Sequence, residues 1–472
     1  MKTTRLKNII LLLICLSTTY LAFGQRERTV NWFFGEKAGL RFTPILQAIT
    51  LGQVNTPEGC ASISDSCGNL LFYTDGITVY TKNHTIMQNG VGLDGHPSST
   101  QAALIVPKPN NDSLYFIFTT GQLYFNYSTV NMKANGGLGA VISKNDTLCL
   151  NQSEKLAAIY HCNGKDVWVV VRKPNDLKTY YSYLINSSGV LFTPTYSTVT
   201  YSPKIDRLGY LKFSPDGQYL ASAHSQSDSV SLYKFNTCTG QLNSFMAFPC
   251  DSGVYGMSFS PDNSKLYVAS TFYSPTCKSS LFQFNVSSGI PAQIIASKTL
   301  IKSLPDRTYF GALQIGADGK IYITQYTYAG NNTVPFLSTI NNPNQVGLAC
   351  SYQNNNFSLL GKNSQLGLPN FIESYFNTNY NCLDVVGIEE NNLNKGFTAF
   401  PNPFSSNTTI QLFNKTITQI ELYNICGVLV KRIDNINLDK IEIEKGNLDT
   451  GVYYLQIKTA NNTTLTHRLL IE

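Results

Sequence analysis

Two stretches, "LGYLKFSPDGQYLASA" (208–223) and "YGMSFSPDNSKLYVAS" (255–270), share one design: a short alternating strand, a polar turn, and a second strand rich in Tyr, Leu and Val. The turn explains the hairpin. Asp followed by Gly or Asn tolerates the positive φ angles that a tight connection between twisted strands requires. "FGALQIGADGKIYITQ" (310–325) repeats the design, and "GCASISDSCGNLLFYTD" (59–75) is a fourth copy. "TQAALIVPKPNNDSLYFIFTT" (100–120) and "KLAAIYHCNGKDVWVVVRK" (155–173) fit it with longer or altered turns. Repeat starts fall near Ala61, Ala103, Ala157, Gly209, Gly256, Gly311 and Gly367, at spacings of 42 to 56 residues. Units of roughly 40–50 residues with several strands each predict propeller blades. Seven starts predict an all-β fold built on a seven-bladed β-propeller, with six or eight blades as the alternatives. The last start has room for one strand, and "TVNWFFGEKAGLRF" (29–42) precedes the first full unit. The two ends are therefore expected to share a blade and close the ring, which removes an open sheet edge.

The chain has 472 residues, too many for one compact core. Apolar residues make up 43%, enough for packed cores, while charged residues at 14% fall well below the roughly 25% usual in soluble domains. Net charge is +6 without any basic run, which speaks against a nucleic-acid partner. At the N-terminus, Lys2, Arg5 and Lys7 precede the apolar "IILLLICL", and small residues end at Gly24. That is the layout of a signal peptide over 1–24, too short to stay as a membrane-spanning helix. Cys15 lies within it behind the bulky Ile14, which argues against a lipid anchor. No later run reaches spanning length, so the mature chain is expected not to be transmembrane.

Export sets the redox setting of the eleven cysteines. Cys60 and Cys67, Cys149 and Cys162, and Cys238 and Cys250 stand close enough in sequence to pair locally, although spacing alone leaves connectivity open. No Cys-x-x-Cys occurs and the five histidines are scattered, so neither a metal site nor a cofactor is expected.

The division expected is a propeller over 25–382, a polar linker over 383–398, and a small Ig-like β-sandwich over 399–472 with five or six alternating strands. This last region resembles the type A C-terminal sorting domain of the type IX secretion system. The resemblance rests on "FPNPF" (400–404), "IELYNICGVLV" (420–430), "GVYYLQI" (451–457) and "HRLLIE" (467–472), with Pro401, Asn402, Pro403, Gly427 and Gly451 as the motif residues. Asn424 and Cys426 depart from that family's usual Asp and small polar residue, and Glu472 from its usual basic end. The resemblance implies that the secretion machinery is a partner and that the domain carries folded cargo across the outer membrane. It also implies removal of the domain, often in exchange for a lipopolysaccharide anchor. Residues 29–376 in turn resemble the exported propellers of gliding and surface-living Bacteroidetes, on "NWFFGEKAGLRF", "HPSSTQAALIVPKP" and "LGLPNFIESYF". Their "SPDG" turns are similar to those of WD-like and Tol-associated propellers. That family has no single agreed activity.

Catalytic signatures are sparse. The sequence holds no phosphate-cradling glycine loop, no His-Glu-x-x-His and no Gly-x-Ser-x-Gly. "NGGLGA" (135–140) reads as a loop, and "HSQSDS" (224–229) as a polar inter-strand turn rather than a triad. Topology offers more, because residues entering each innermost strand of a propeller gather at one mouth of the channel. Those positions hold Glu58, Gln101, Glu154, Asp206, Arg207, Asp251, Asp306, Arg307 and Gln365. Carboxylates and guanidiniums converging there could bind a sugar or peptide or move protons; the plainer reading is that they bridge blades. "DSL" (112–114), "DTL" (146–148) and "DSV" (228–230) are similar to Bacteroidetes O-glycosylation sites, with Ser113, Thr147 and Ser229 as acceptors. The expected function is binding or adhesion at the cell surface to an extracellular glycan or protein. The alternative is a secreted enzyme acting on polysaccharide or peptide at the channel mouth.

Overall fold

The computed structural model describes residues 25–472 apart from 151–152, 174–177, 201–206, 251–252, 271–277, 328–333, 379–396, 413–414, 425–427 and 462–463. The signal peptide, nearly all of the linker, Asp206, Asp251 and Gly427 lie outside the described residues. Two compact units part between Asn381 and Cys382.

The larger unit is a β-propeller of seven antiparallel meanders, at residues 31–49, 61–91, 103–150, 156–198, 211–249, 254–303 and 308–358. They are numbered blades 1 to 7 here. Blade 1 has three strands and the others at least four; blades 2 and 3 also join at their outer strands through a single parallel pair, Gln88 with Ala140. The innermost strands touch their neighbours in chain order. The ring closes where Trp32 and Phe42 of blade 1 meet Tyr322 of blade 7, edge to face.

Repeated turn chemistry produces the repeated blades. In blade 5 the Ser214 hydroxyl donates to the Asp216 carboxylate at 2.6 Å and accepts from the Tyr219 amide at 2.9 Å, while Gly217 takes φ 73°. Blade 6 does the same with Ser260, Asp262 and Lys265, and Asn263 takes φ 66°. A serine that caps both sides of its own turn fixes the hairpin register, and the strands behind it then alternate into the core.

The channel holds part of the chain itself. Residues 364–376 form an unbroken buried run. The run follows blade 7, and just before it the Asn363 side-chain amide donates to Glu36 of blade 1 at 2.6 Å. The Leu366 amide donates to the Pro57 carbonyl and its own carbonyl accepts from Ala312 of blade 7. Asn370 donates to the Cys60 carbonyl of blade 2 and, through Nδ2, to the Leu156 carbonyl of blade 4. Ser374 then accepts from the Tyr160 amide at 2.9 Å, and Thr378 reaches the Pro261 carbonyl. The two ends of the propeller chain do meet, but 366–376 is not the strand of a shared blade that the repeat pattern suggests. Pro369 removes a ladder donor, and the segment finds its partners across the channel instead. At Gly367 a Cβ would lie 1.8 Å from the Glu58 carbonyl oxygen, so only glycine permits this approach.

The cysteine pairing differs from the local one expected. Cys162 bonds Cys238, 76 positions away in the chain, with Cα atoms 4.9 Å apart. Cys162 sits in the inner turn of blade 4 and Cys238 in a turn of blade 5, and the Cys162 amide donates to the Thr237 carbonyl. Lateral packing of blades, not sequence proximity, brings the sulfurs together. Pairings of Cys149 with Cys162 and of Cys238 with Cys250 are thereby excluded. Cys60 and Cys67 are free thiols at opposite ends of a hairpin strand, one buried and one exposed, and Cys149 is also free.

The smaller unit is a two-sheet sandwich of three and four strands around Ile410, Ile420, Leu422, Leu455, Ile457 and Leu469. Pro401, Asn402 and Pro403 form the turn between Phe397–Phe400 and Asn407–Leu412. Asn402 Oδ1 accepts from the Leu470 amide at 2.8 Å, tying that turn to the last strand. Gly451 opens the strand Gly451–Thr459 at φ 152°.

Candidate functional site

Residues just before the innermost strands gather carboxyl groups and phenols where the channel segment enters. Glu58 precedes Ala61–Ser64 and Glu154 precedes Leu156–Tyr160. Burial, and then the charge of Glu154, push the Glu58 carboxyl up to about 8. Among the described residues the Ser98 hydroxyl donates to it at 3.4 Å, a long bond. Burial also raises Glu154, although Thr100 donates to its Oε2 from both the amide (2.8 Å) and the hydroxyl (2.7 Å). No cation forms a salt bridge with either carboxyl among the described residues.

Two phenols complete the cluster. Tyr210 and Tyr255 are buried and meet edge to face at 5.6 Å. Neither hydroxyl makes a well-formed hydrogen bond, although Leu368 lies against the Tyr210 hydroxyl and Thr100 against that of Tyr255, and both interact with the Glu58 charge. The Tyr255 hydroxyl lies beside the Glu58 carboxyl but outside hydrogen-bond geometry. Buried polar atoms are seldom left without a well-formed hydrogen bond, so two such hydroxyls beside a carboxyl that burial pushes up stand out. The cluster can donate through Glu58 and both phenols, and accept through Glu154.

The other candidates separate from this pair. Gln101 is buried and fully used inside the chain: its Oε1 accepts from the Leu156 and Leu211 amides at 3.2 and 2.8 Å, and its Nε2 donates to the Leu211 carbonyl at 3.1 Å. It joins blades rather than meeting a ligand. Gln365 is likewise taken up by Glu36. The Arg207 carbonyl accepts from the Glu154 amide, while its side chain is exposed. Asp306 and Arg307 are exposed at the entry to blade 7, and neither side chain makes a hydrogen bond or ion pair among the described residues. His224 of "HSQSDS" is buried, its ring paired with Ser231 at 2.9 Å, and burial lowers its pKa well below the usual value. Thr147 is exposed on an outer strand, Ser229 is half-buried, and the Ser113 hydroxyl donates to Asn111 within its own turn.

Thr100, Tyr210 and Tyr255 escaped the sequence reading, which ranked charged residues. A trace existed: Tyr210 follows the start at Gly209 and Tyr255 precedes that at Gly256, so an aromatic recurs at two neighbouring entries.

Residues 398–472 match the family described as the secretion system C-terminal sorting domain. No curated protein matches the chain. Among solved structures, a functionally unknown protein from Desulfotomaculum acetoxidans is 14% identical with a TM-score of 0.45, covering 72% of this chain and 99% of that one. A Bacteroides fragilis protein provisionally assigned as a 6-phosphogluconolactonase is 13% identical with a TM-score of 0.43, covering 72% and 97%. Hsv2 from Kluyveromyces lactis is 11% identical with a TM-score of 0.38, covering 66% and 90%. Likenesses of this size carry no argument about activity. The sorting domain, by contrast, indicates export to the cell surface or beyond.

Proposed function

We propose that this exported protein is a binding module that takes an extracellular glycan or protein at the channel mouth formed by Glu58 and Glu154. One observation carries the reading: two buried carboxyls that form no salt bridge among the described residues, beside two phenols without a well-formed hydrogen bond, stand over a channel that the chain itself fills. Gln101 and Gln365, which join parts of the chain, are fully paired and Glu154 is held by Thr100, whereas Glu58 has only the long contact from Ser98. Because 364–376 occupies the channel, a ligand reaches the cluster from outside and meets a surface rather than a tunnel.

Acid–base catalysis is the second reading, favoured by one fact. A carboxyl that holds its proton to about 8 can donate it at neutral pH. Both readings are tested together by screening the exported chain against glycans and peptides, with Glu58→Gln and Glu154→Gln alongside. Binding without turnover, lost in both variants, supports the module. Turnover abolished by either variant moves the protein to the enzymes, and binding indifferent to both removes this mouth from consideration.

Export is tested separately. Deleting residues 399–472 is expected to leave the propeller folded but held in the periplasm, as read by fractionation and surface proteolysis. Normal surface display of that truncation would refute the sorting role. Thr147, the most exposed of the three acceptors, is the first position at which to look for an O-glycan by mass spectrometry.

A further inference from the structure

The channel segment leaves at a second mouth with a different chemistry. There a cavity of about 320 Å³ lies among Arg28, Lys108, Tyr115, Tyr160, Lys165 and Asn110. That is near the lower end of ligand pockets, which run from roughly 300 to 1,000 Å³. Arg28 is half-buried, and among the described residues no carboxylate pairs with it. Its surroundings are phenolic instead: the oxygens of Tyr375, Tyr160 and Tyr115 are the groups that act on its charge. Tyr375 is buried, 1% exposed, and its hydroxyl lies beside that of Tyr160 without a well-formed hydrogen bond. A largely desolvated guanidinium without a counter-charge is costly, and a planar oxyanion is the partner its fork fits best.

Two acids also line the cavity, but neither answers Arg28. The Asp65 carboxylate accepts from the Cys67 and Asn69 amides and from Asn69 Nδ2, within its own turn. Asp112 is exposed at the rim. Three basic side chains against two acids leave the lining positive. The rest is mainly hydroxyl, amide and phenol, which suits a ligand covered in hydroxyl groups better than a peptide needing apolar recesses.

We propose that this second mouth binds an acidic sugar, a uronic acid whose carboxylate pairs with Arg28 while its ring hydroxyls meet Tyr160, Asn110 and the lysines. The site is independent of the Glu58 mouth, at the other end of the filled channel.

The test uses the full exported chain in calorimetric titration with trigalacturonate, neutral maltotriose, inorganic sulfate and a triaspartate peptide. Trigalacturonate is expected to bind, and maltotriose at least about tenfold more weakly, the worth of roughly one charge-assisted hydrogen bond. Arg28→Met should weaken trigalacturonate by a similar factor, with Arg28→Lys in between. Asn110→Asp places a like charge at the exposed rim without disturbing Arg28, and should weaken binding several-fold at low salt. That variant keeps the test decisive if Arg28→Met unsettles the fold. Equal binding of sulfate or of triaspartate would overturn the sugar assignment. Trigalacturonate binding unaffected by Arg28→Met and Asn110→Asp, or no binding at all, would overturn the site.

Discussion

Two glutamates in the same channel meet opposite fates. Glu373 lies deep inside, its side chain 4% exposed, 2.6 Å from the Lys212 ammonium, whose other partner is Gln314. Glu58 lies at the entrance and faces a second glutamate instead of a cation. Burial raises both carboxyls, but at Glu373 Lys212 opposes that effect, whereas at Glu58 Glu154 adds to it. An ion pair that welds a filled channel needs no ligand to explain it. A pair of acids brought together at an opening has no such role, and on this difference rests the proposal that the entrance is a binding site.

Breaking the interior pair should have the largest effect. Lys212→Met or Glu373→Gln strands the remaining group in a dry core, and a loss of about 3–5 kcal/mol is expected in denaturant unfolding of the propeller. Lys212→Met combined with Glu373→Leu should recover much of it, since an apolar pair of similar volume asks nothing of the core. Single variants as stable as the wild type would mean that 364–376 does not hold the ring together.

The outer clasp should matter somewhat less than the inner weld. Cys162→Ser with Cys238→Ser opens a loop of 76 residues between blades 4 and 5, for which about 2–4 kcal/mol is typical. A larger loss than that from Lys212→Met would reverse the ranking and make the disulfide the main closure.

Glu58→Gln should show itself chiefly through pH. In the folded chain Glu58 keeps its proton to about 8, against an ordinary value of 4.5. Between those values the folded state binds the extra proton, so stability falls as pH rises through that window and is fullest below 4.5. The slope approaches about 1.4 kcal/mol per unit and is reduced because the group is partly exposed. Glu58→Gln should flatten that part of a melting-temperature profile. A variant with the wild-type profile would mean that Glu58 is already ionised at neutral pH.

How far all this could be read in advance depends on the range of each interaction. The hairpins at 208–223 and 255–270 are local: Ser214 and Ser260 hold their own turns within five residues, and such turns leave a signature in any one copy. Blade starts at Ala61 and Ala103 coincide with the first residues of innermost strands for the same reason. The disulfide, the Lys212–Glu373 pair and the Glu58–Glu154 pair join residues 76, 161 and 96 positions apart. Those arise only when the ring closes, and no periodicity records them. Topology put Glu58 and Glu154 among the entry residues, but it ranked Gln101 with them, because position around a mouth does not reveal whether an amide is already used. Only hydrogen-bond accounting separates the two cases.

That accounting also yields the smallest effect on stability, and the sharpest on the question of role. Tyr255→Phe removes a buried hydroxyl that lies beside Glu58 and Thr100 without a well-formed hydrogen bond. If the phenol were part of the framework, its loss would cost the usual roughly 0.5–1.5 kcal/mol of a hydrogen bond. With no bond to lose, the substitution should leave stability unchanged or raise it by up to about 1 kcal/mol, because a desolvated hydroxyl is replaced by carbon. Ligand affinity at the Glu58 mouth should nevertheless fall, since the donor aimed beside that carboxyl is gone. Tyr210→Phe should behave in the same way. A protein that becomes no less stable and yet binds less well keeps those hydroxyls for something other than its fold. Destabilisation with unchanged affinity would return both tyrosines, and with them the mouth, to the framework.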